Sequence, residues 1–232
     1  MTTKYQAVSI APPLHVLLVI CLSLLLPLAT TFYRRGGRFA ALDILLDKAI
    51  GRKRDYFLDS KYYRIKDYYG FQCLDVGSGN GDYSKFLKEQ GRDVSSVDVL
   101  DLSHTGTVTL FDGTNIPFGD NQFDTSLLMF VLHHSTDQKG LLKDVMRVTR
   151  DYIIVAEDLI VNPFDAMLGQ IHLHSSPWAQ GEHEDAFKTH SQWQTFFAEL
   201  KLQVVDTVTI SRWTYPVYPV VRNIYVLKVP ST

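Results

Sequence analysis

The stretch that most limits the fold is LDVGSGNGDYSKFL, residues 74–87. An apolar run breaks into three glycines within five positions, Gly77, Gly79 and Gly81, and then resumes with helical spacing. A turn of this kind joins a buried strand to a helix, and glycine there tolerates positive φ and lets a ligand approach the backbone. The alternation continues along the chain. Strands are predicted at 71–76, 93–99, 107–112, 123–132 and 151–158, with helices at 80–90 and 139–149. A helix at 190–200 and strands at 202–210 and 223–229 follow. This order predicts an α/β fold with a mostly parallel sheet and an antiparallel C-terminal hairpin at one edge. The seven residues 100–106, between the second and third strands, are too few for a helical crossover, so a loop or single turn is expected there.

The same turn narrows the ligand. A dinucleotide fingerprint needs G-x-G-x-x-G, yet counting from Gly77 puts Asp82 where the third glycine should fall. Asp75, two residues before the first glycine, would set a carboxylate near a pyrophosphate. S-adenosylmethionine (SAM) carries an ammonium and a sulfonium and no phosphate, so a carboxylate there is attractive. The turn favours SAM over a nicotinamide cofactor.

Composition bounds the alternatives. The 232 residues are 46% hydrophobic and 21% charged, with a formal net charge of −2, which suits one globular domain plus an extension. No basic field is present to hold a phosphate backbone, so nucleic acid is not expected as a partner. Cys21 and Cys73, the only cysteines, are expected as reduced thiols.

From Tyr5 to Tyr33 there is no Asp, Glu, Lys or Arg. The 19 residues Leu14–Phe32 would reach roughly 28 Å as a helix, close to the ~30 Å hydrocarbon core of a bilayer. A membrane anchor, a cleaved signal peptide and a helix folded back on the domain all fit an apolar run. The basic residues Arg34, Arg35 and Arg38 follow the run, whereas only Lys4 precedes it, which favours an anchor with the folded domain on the cytosolic side. The expected organisation is an anchor over residues 1–33, with membrane contact through 12–33. A helical linker or cap at 34–70 follows, in which Leu42, Leu45, Leu46, Ile50 and Phe57 recur at helical spacing. The catalytic domain occupies 71–232.

Four separated motifs, in order over residues 71–158, resemble the class I SAM-dependent methyltransferases, specifically the small-molecule type 11 group that includes ubiquinone-biosynthesis enzymes. They are LDVGSGNG, then VDV at 97–99, then FDGTNIPFGDNQFD at 111–124, then LLMFVLHH at 127–134 followed by LLKDVMRVTR. The resemblance implies a Rossmann-like sheet, SAM as cofactor and a small-molecule acceptor. It implies that Asp75, Gly77, Ser78, Gly79 and Gly81 form the cofactor turn and that Asp98, with Val99 beside it, holds the ribose. Asp112 and Gly113 match the family's adenine-contacting pair, and Met129 and Phe130 would face the methionine end. Ile116 and Phe118 could wall the adenine or simply fill the core.

His133, His134 and Glu157 are the candidate catalytic residues, since an imidazole or a carboxylate at the switch point of the sheet could deprotonate an acceptor. Anchoring of the following helix is the more ordinary role for either histidine alone. Catechol-type relatives hold magnesium with acids near Glu157 and Asp158, but the matching fourth-strand position here offers no carboxylate, so no metal is expected. The run His172–Asp185 contains H-L-H and E-H-E-D, whose spacing matches no familiar zinc site and reads as a solvated loop over the acceptor pocket. Trp178, Trp213 and Tyr215 could add aromatic surface to that pocket. The expected activity is methylation of a small, apolar or membrane-associated acceptor at O, S or C. A non-catalytic SAM-binding scaffold of the same fold is the alternative.

Overall fold

A computed structural model describes residues 62, 64–103, 106–175, 186–214 and 219–230. The apolar run 12–33, most of the 34–70 segment, Trp178, Tyr215 and the E-H-E-D run lie outside the described residues, as does the side chain of Trp213. Among the described residues no helix is long and apolar enough to cross a membrane.

The chain runs β1 (Gln72–Val76), α1 (Asp82–Glu89), β2 (Asp93–Asp98), β3 (Val108–Leu110), β4 (Phe123–Met129), α2 (Gln138–Val148), β5 (Thr149–Leu159), α3 (Pro163–Ser175), α4 (His190–Glu199), β6 (Gln203–Ile210) and β7 (Val221–Lys228). One seven-stranded sheet results, in the order β3-β2-β1-β4-β5-β7-β6. The first five strands pair in parallel, and β7 runs antiparallel to both β5 and β6. The expected C-terminal hairpin is therefore present, with its second strand inserted between β5 and the edge strand β6. No helix occupies the described residues between β2 and β3, as the short spacing requires.

Alternate residues of the central strands feed two cores, because successive side chains of a strand point to opposite faces. Leu74, Val76, Leu128, Ile153 and Val155 pack with Leu142 and Val145 of α2 and Trp193 and Phe197 of α4. Cys73, Leu127, Met129, Ile154 and Ala156 pack with Leu87 of α1 and with Tyr62, Ile65 and Tyr69. The described end of the 34–70 segment thus covers the α1 face of the sheet, where Arg92 reaches both Gly70 O (3.2 Å) and Tyr62 Oη (3.3 Å).

Three local differences from the sequence reading have physical causes. β4 stops at Met129 and not at Leu132, because Phe130 adopts φ 65° and the chain closes into a 3₁₀ turn, Leu132–His134. β5 begins directly at Thr149, since the Thr149 hydroxyl bonds Val145 O at 2.6 Å and so closes α2 without a glycine turn. Residues 163–175, for which the sequence predicts no element and which end in the His172–Asp185 run read as loop, form α3. Asn162 accepts from Phe164 N (2.9 Å) and Asp165 N (3.1 Å), while Asp165 accepts back from Asn162 N (3.2 Å), a reciprocal N-terminal cap around Pro163.

Candidate functional site

The carboxyl ends of β1, β2 and β4 surround a cavity of about 310 Å³, within the range of small-molecule sites. Its floor is the glycine turn. Gly77, Gly79 and Gly81 have φ of 67°, 55° and 78°, a region where other residues are strained. A Cβ on Gly77 would lie 2.6 Å from Val131 Cγ2, so the turn can approach the β4 end only without a side chain. Gly79 instead faces open space, with no atom within 4 Å of where its Cβ would be. Its N–H donates to Asp98 Oδ2 at 2.7 Å, and Leu100 N donates to Asp98 Oδ1 at 3.2 Å, which fixes this carboxylate in the cavity wall.

Of the residues expected at the cofactor site, Gly77, Gly79, Asp98, Val99, Gly113 and Phe130 line the cavity. Asp75, Ser78, Gly81, Asp112 and Met129 do not. Asp75 shares its face of β1 with Cys73, so its carboxylate points toward α1 and accepts from Ser84 Oγ at 2.6 Å. Burial pushes its pKa up to about 6 in spite of that bond. Ser78 is buried between two lining glycines with its Oγ unpartnered among the described residues. Gly81 caps α1. The exposed Asp112 closes a turn, accepting from Thr114 N (2.8 Å), Asn115 N (2.7 Å) and Asn115 Nδ2 (2.6 Å), and these bonds hold its pKa down at about 2. Met129 belongs to the core on the α1 face. Ile116 is buried and Phe118 packs edge-on against Phe123 at 5.0 Å, the core role of the two left open by the sequence.

The cavity wall also includes Leu100, Leu102, Phe111, Val131 and Leu141, which sequence reasoning missed. Phe111 and Val131 each adjoin an expected residue, so widening the motifs by one position would have found them. Leu141 comes from α2 and carries no such signal.

The candidate catalytic residues divide. His134 lines the cavity, whereas His133 and Glu157 are sealed at 1% and 0% exposure. Glu157 Oε2 lies 2.6 Å from His133 Nδ1, and its Oε1 accepts from Leu132 N at 2.8 Å. Burial opposes protonation of His133, but the adjacent Glu157 outweighs it and raises the pKa. Burial and the neighbouring His133 and His172 push His134 down to about 3, which makes it a weak base near neutral pH. Asp158, on the opposite face of β5 from Glu157, lies 2.8 Å from Arg222 Nε of β7.

α3 brings His172 into this group. Its ring centroid lies 5.4 Å from those of both His133 and His134, which are 4.1 Å apart. Burial lowers the His172 pKa to about 4, and Phe187 stacks on His133 at 4.8 Å.

The residues present fit SAM. Among the described residues the cavity combines bare glycine backbone, apolar walls and a single carboxylate, Asp98, with no lysine or arginine in its lining to neutralise a pyrophosphate. Fold and site together define a domain of the SAM-dependent methyltransferase class. Residues 74–152 match the family model described as a methyltransferase domain. Over this third of its length the chain is similar to the class I SAM-dependent methyltransferases of the ubiquinone-biosynthesis-like type, a family whose cofactor is SAM.

Similar curated proteins include a tRNA (carboxymethyluridine(34)-5-O)-methyltransferase of Schizosaccharomyces pombe, 31% identical over 34% of this chain and 36% of its own length. A demethylmenaquinone methyltransferase of Paenarthrobacter aurescens is 31% identical over 38% of this chain and 39% of its own. A ubiquinone/menaquinone biosynthesis C-methyltransferase of Paraburkholderia phytofirmans is 30% identical over 35% and 40%. The chain thus spans about two fifths of the length of these relatives. Among solved structures, a SAM-dependent methyltransferase of Methanosarcina mazei shares the fold with TM-score 0.57 at 15% identity, over 71% of this chain and 95% of its own. The cyclase SpnF does so with TM-score 0.57 at 14% identity, over 77% and 81%.

Proposed function

We propose that this chain transfers the methyl group of SAM to a small, apolar acceptor that partitions into membranes, with a quinone precursor as the leading candidate. The observation that carries the reading is the cavity formed by the left-handed glycines 77 and 79 against Asp98. Asp98 would hold the ribose hydroxyls, Gly77 and Gly79 would admit the methionine end, and Phe111 and Gly113 would flank the adenine. When bound, the cofactor supplies an electrophilic methyl on a sulfonium. The protein's part is to align an acceptor with that methyl and to exclude water, a contribution that can dominate such a displacement. Two relatives whose names concern menaquinone and ubiquinone support a quinone-type acceptor.

His134 is the one candidate base at the cavity, and its depressed pKa supports positioning of the acceptor over proton abstraction. The formal charge of −2 favours a small molecule over nucleic acid, although one relative is a tRNA methyltransferase. We further infer that residues 12–33 anchor the protein with its domain facing the cytosol, which would concentrate a bilayer-dissolved acceptor at the cavity. Incubating the purified full chain with radiolabelled SAM and membrane lipid extract, then identifying the labelled product, tests the reading. Label in an extractable quinone supports it, whereas label in RNA alone or in no product counts against it.

A further inference from the structure

We propose that His133, His134 and His172 form a binding site for a divalent d-block cation, zinc in the first instance, at the edge of the cofactor cavity. One ligand nitrogen from each ring can be chosen so that all three lie within 4.8 Å of one another. Zinc bonds of ~2.0–2.1 Å would draw tetrahedral donors to roughly 3.4 Å separation. Small side-chain rotations suffice, because the ring centroids are already 4.1 to 5.4 Å apart.

The groups that would support the ligands are already in place. Glu157 Oε2 lies 2.6 Å from His133 Nδ1, so with Nδ1–H donating to the carboxylate, Nε2 is the ring nitrogen that would meet a cation. His133 Nε2 is buried and has no partner among the described residues, and so is His134 Nδ1. An orphaned buried nitrogen costs stability unless something satisfies it. A carboxylate behind the far nitrogen of a ligand is the usual way a metal-binding imidazole is oriented and made more basic. Glu157 is itself fixed by Leu132 N, which donates to its Oε1 at 2.8 Å.

Neutral imidazole is a preferred ligand for zinc, copper and nickel. Gly169 makes the approach of α3 possible, since a Cβ there would meet the Phe187 ring, which stacks on His133, at 2.8 Å. Three protein ligands leave one position for water or for a heteroatom of an acceptor. Because His134 also lines the cavity, that position adjoins the space for SAM. If the methyltransferase reading holds, the site would favour acceptors with a thiol or hydroxyl that a cation can bind and acidify. Cation binding itself does not depend on that reading.

The test uses the full chain in detergent, stripped with a chelator and titrated with zinc alone against a chromophoric competitor. Cobalt(II) then reports the coordination geometry by visible absorption, and SAM affinity is measured separately by calorimetry. One zinc per chain is expected, with an intense low-coordinate cobalt spectrum. Glu157→Gln keeps an acceptor for Leu132 N and should weaken zinc ~10–100-fold, the usual effect of losing a carboxylate that orients a metal-binding imidazole. His172→Ala should weaken it further, and the control His190→Ala should not. Absence of zinc binding in the wild type, or an octahedral cobalt spectrum, would overturn the site. So would unchanged zinc affinity in both His172→Ala and Glu157→Gln, which would put the ion on other histidines. Failure of SAM binding with zinc intact would instead count against the cofactor reading alone.

Discussion

Glu157 Oε2 and His133 Nδ1 lie 2.6 Å apart at the end of β5, where neither side chain meets solvent. A buried pair of this kind is held by its geometry, and removing one partner strands the other. Glu157→Ala, which also leaves Leu132 N unpaired, should cost about 3–5 kcal/mol. A urea titration monitored by circular dichroism would show it as a lowered midpoint. A change below about 1 kcal/mol would mean that water replaces the carboxylate.

Asp75 makes stability depend on pH in an unusual direction for a carboxylate. Its folded pKa is raised to about 6 from an ordinary value near 3.8, so the folded protein keeps a proton that the unfolded chain releases between those values. Its contribution is therefore fully present below about pH 4 and is lost as pH rises through about 6. The loss should be about 3 kcal/mol, since a tenfold difference in proton affinity between the folded and unfolded chain corresponds to about 1.4 kcal/mol. Asp75→Asn keeps a partner for Ser84 Oγ and should remove this slope. Denaturant midpoints across pH 4–7 would check it, and identical slopes in both proteins would refute the assignment.

Two glycines of one turn should respond differently to the same substitution. Left-handed backbone costs a non-glycine residue ~1–2 kcal/mol at either position. Gly77→Ala adds a 2.6 Å clash with Val131 and should lose more stability than Gly79→Ala, whose new methyl enters open cavity. Gly79→Ala should instead weaken SAM binding with a smaller stability loss. Thermal melts paired with calorimetry separate the two effects.

Most of the sheet is legible in the sequence because its strands are short apolar runs, rich in Val, Ile and Leu and punctuated by glycine or aspartate. The glycine turn and Asp98 follow from that frame, because a parallel sheet brings the carboxyl ends of β1 and β2 together. The cavity wall is less legible. Met129 and Phe130 are adjacent, yet the pleat buries one while a left-handed turn aims the other at the cavity. The run Asn162-Pro163-Phe164-Asp165 does contain a helix start, an N-cap side chain with proline at the first position and a reciprocal carboxylate. Periodicity conceals it, because the apolar residues that follow are spread around the helix and show no single face. The meeting of His172 with His133, across 38 intervening positions, depends on how α3 packs and has no local signal.

The proposed anchor can be tested apart from the chemistry. Deleting residues 1–33 should release the protein from membranes and leave SAM affinity within a few-fold, since the cofactor turn starts only at Gly77. Flotation on a density gradient would check it. Persistent membrane association would shift the role to the segment around Leu45.

SAM binding by Asp98→Ala tests the central claim most directly. The carboxylate fixes Gly79 N and Leu100 N and is the only acid in the cavity wall among the described residues, and a hydrogen bond to a charged acceptor is worth ~1.5–3 kcal/mol. Titration calorimetry should show wild-type binding of SAM, no tighter binding of NADH, and a loss of roughly tenfold or more in the variant, which remains folded by circular dichroism. Unchanged SAM affinity in Asp98→Ala, or NADH binding tighter than SAM in the wild type, would contradict the account.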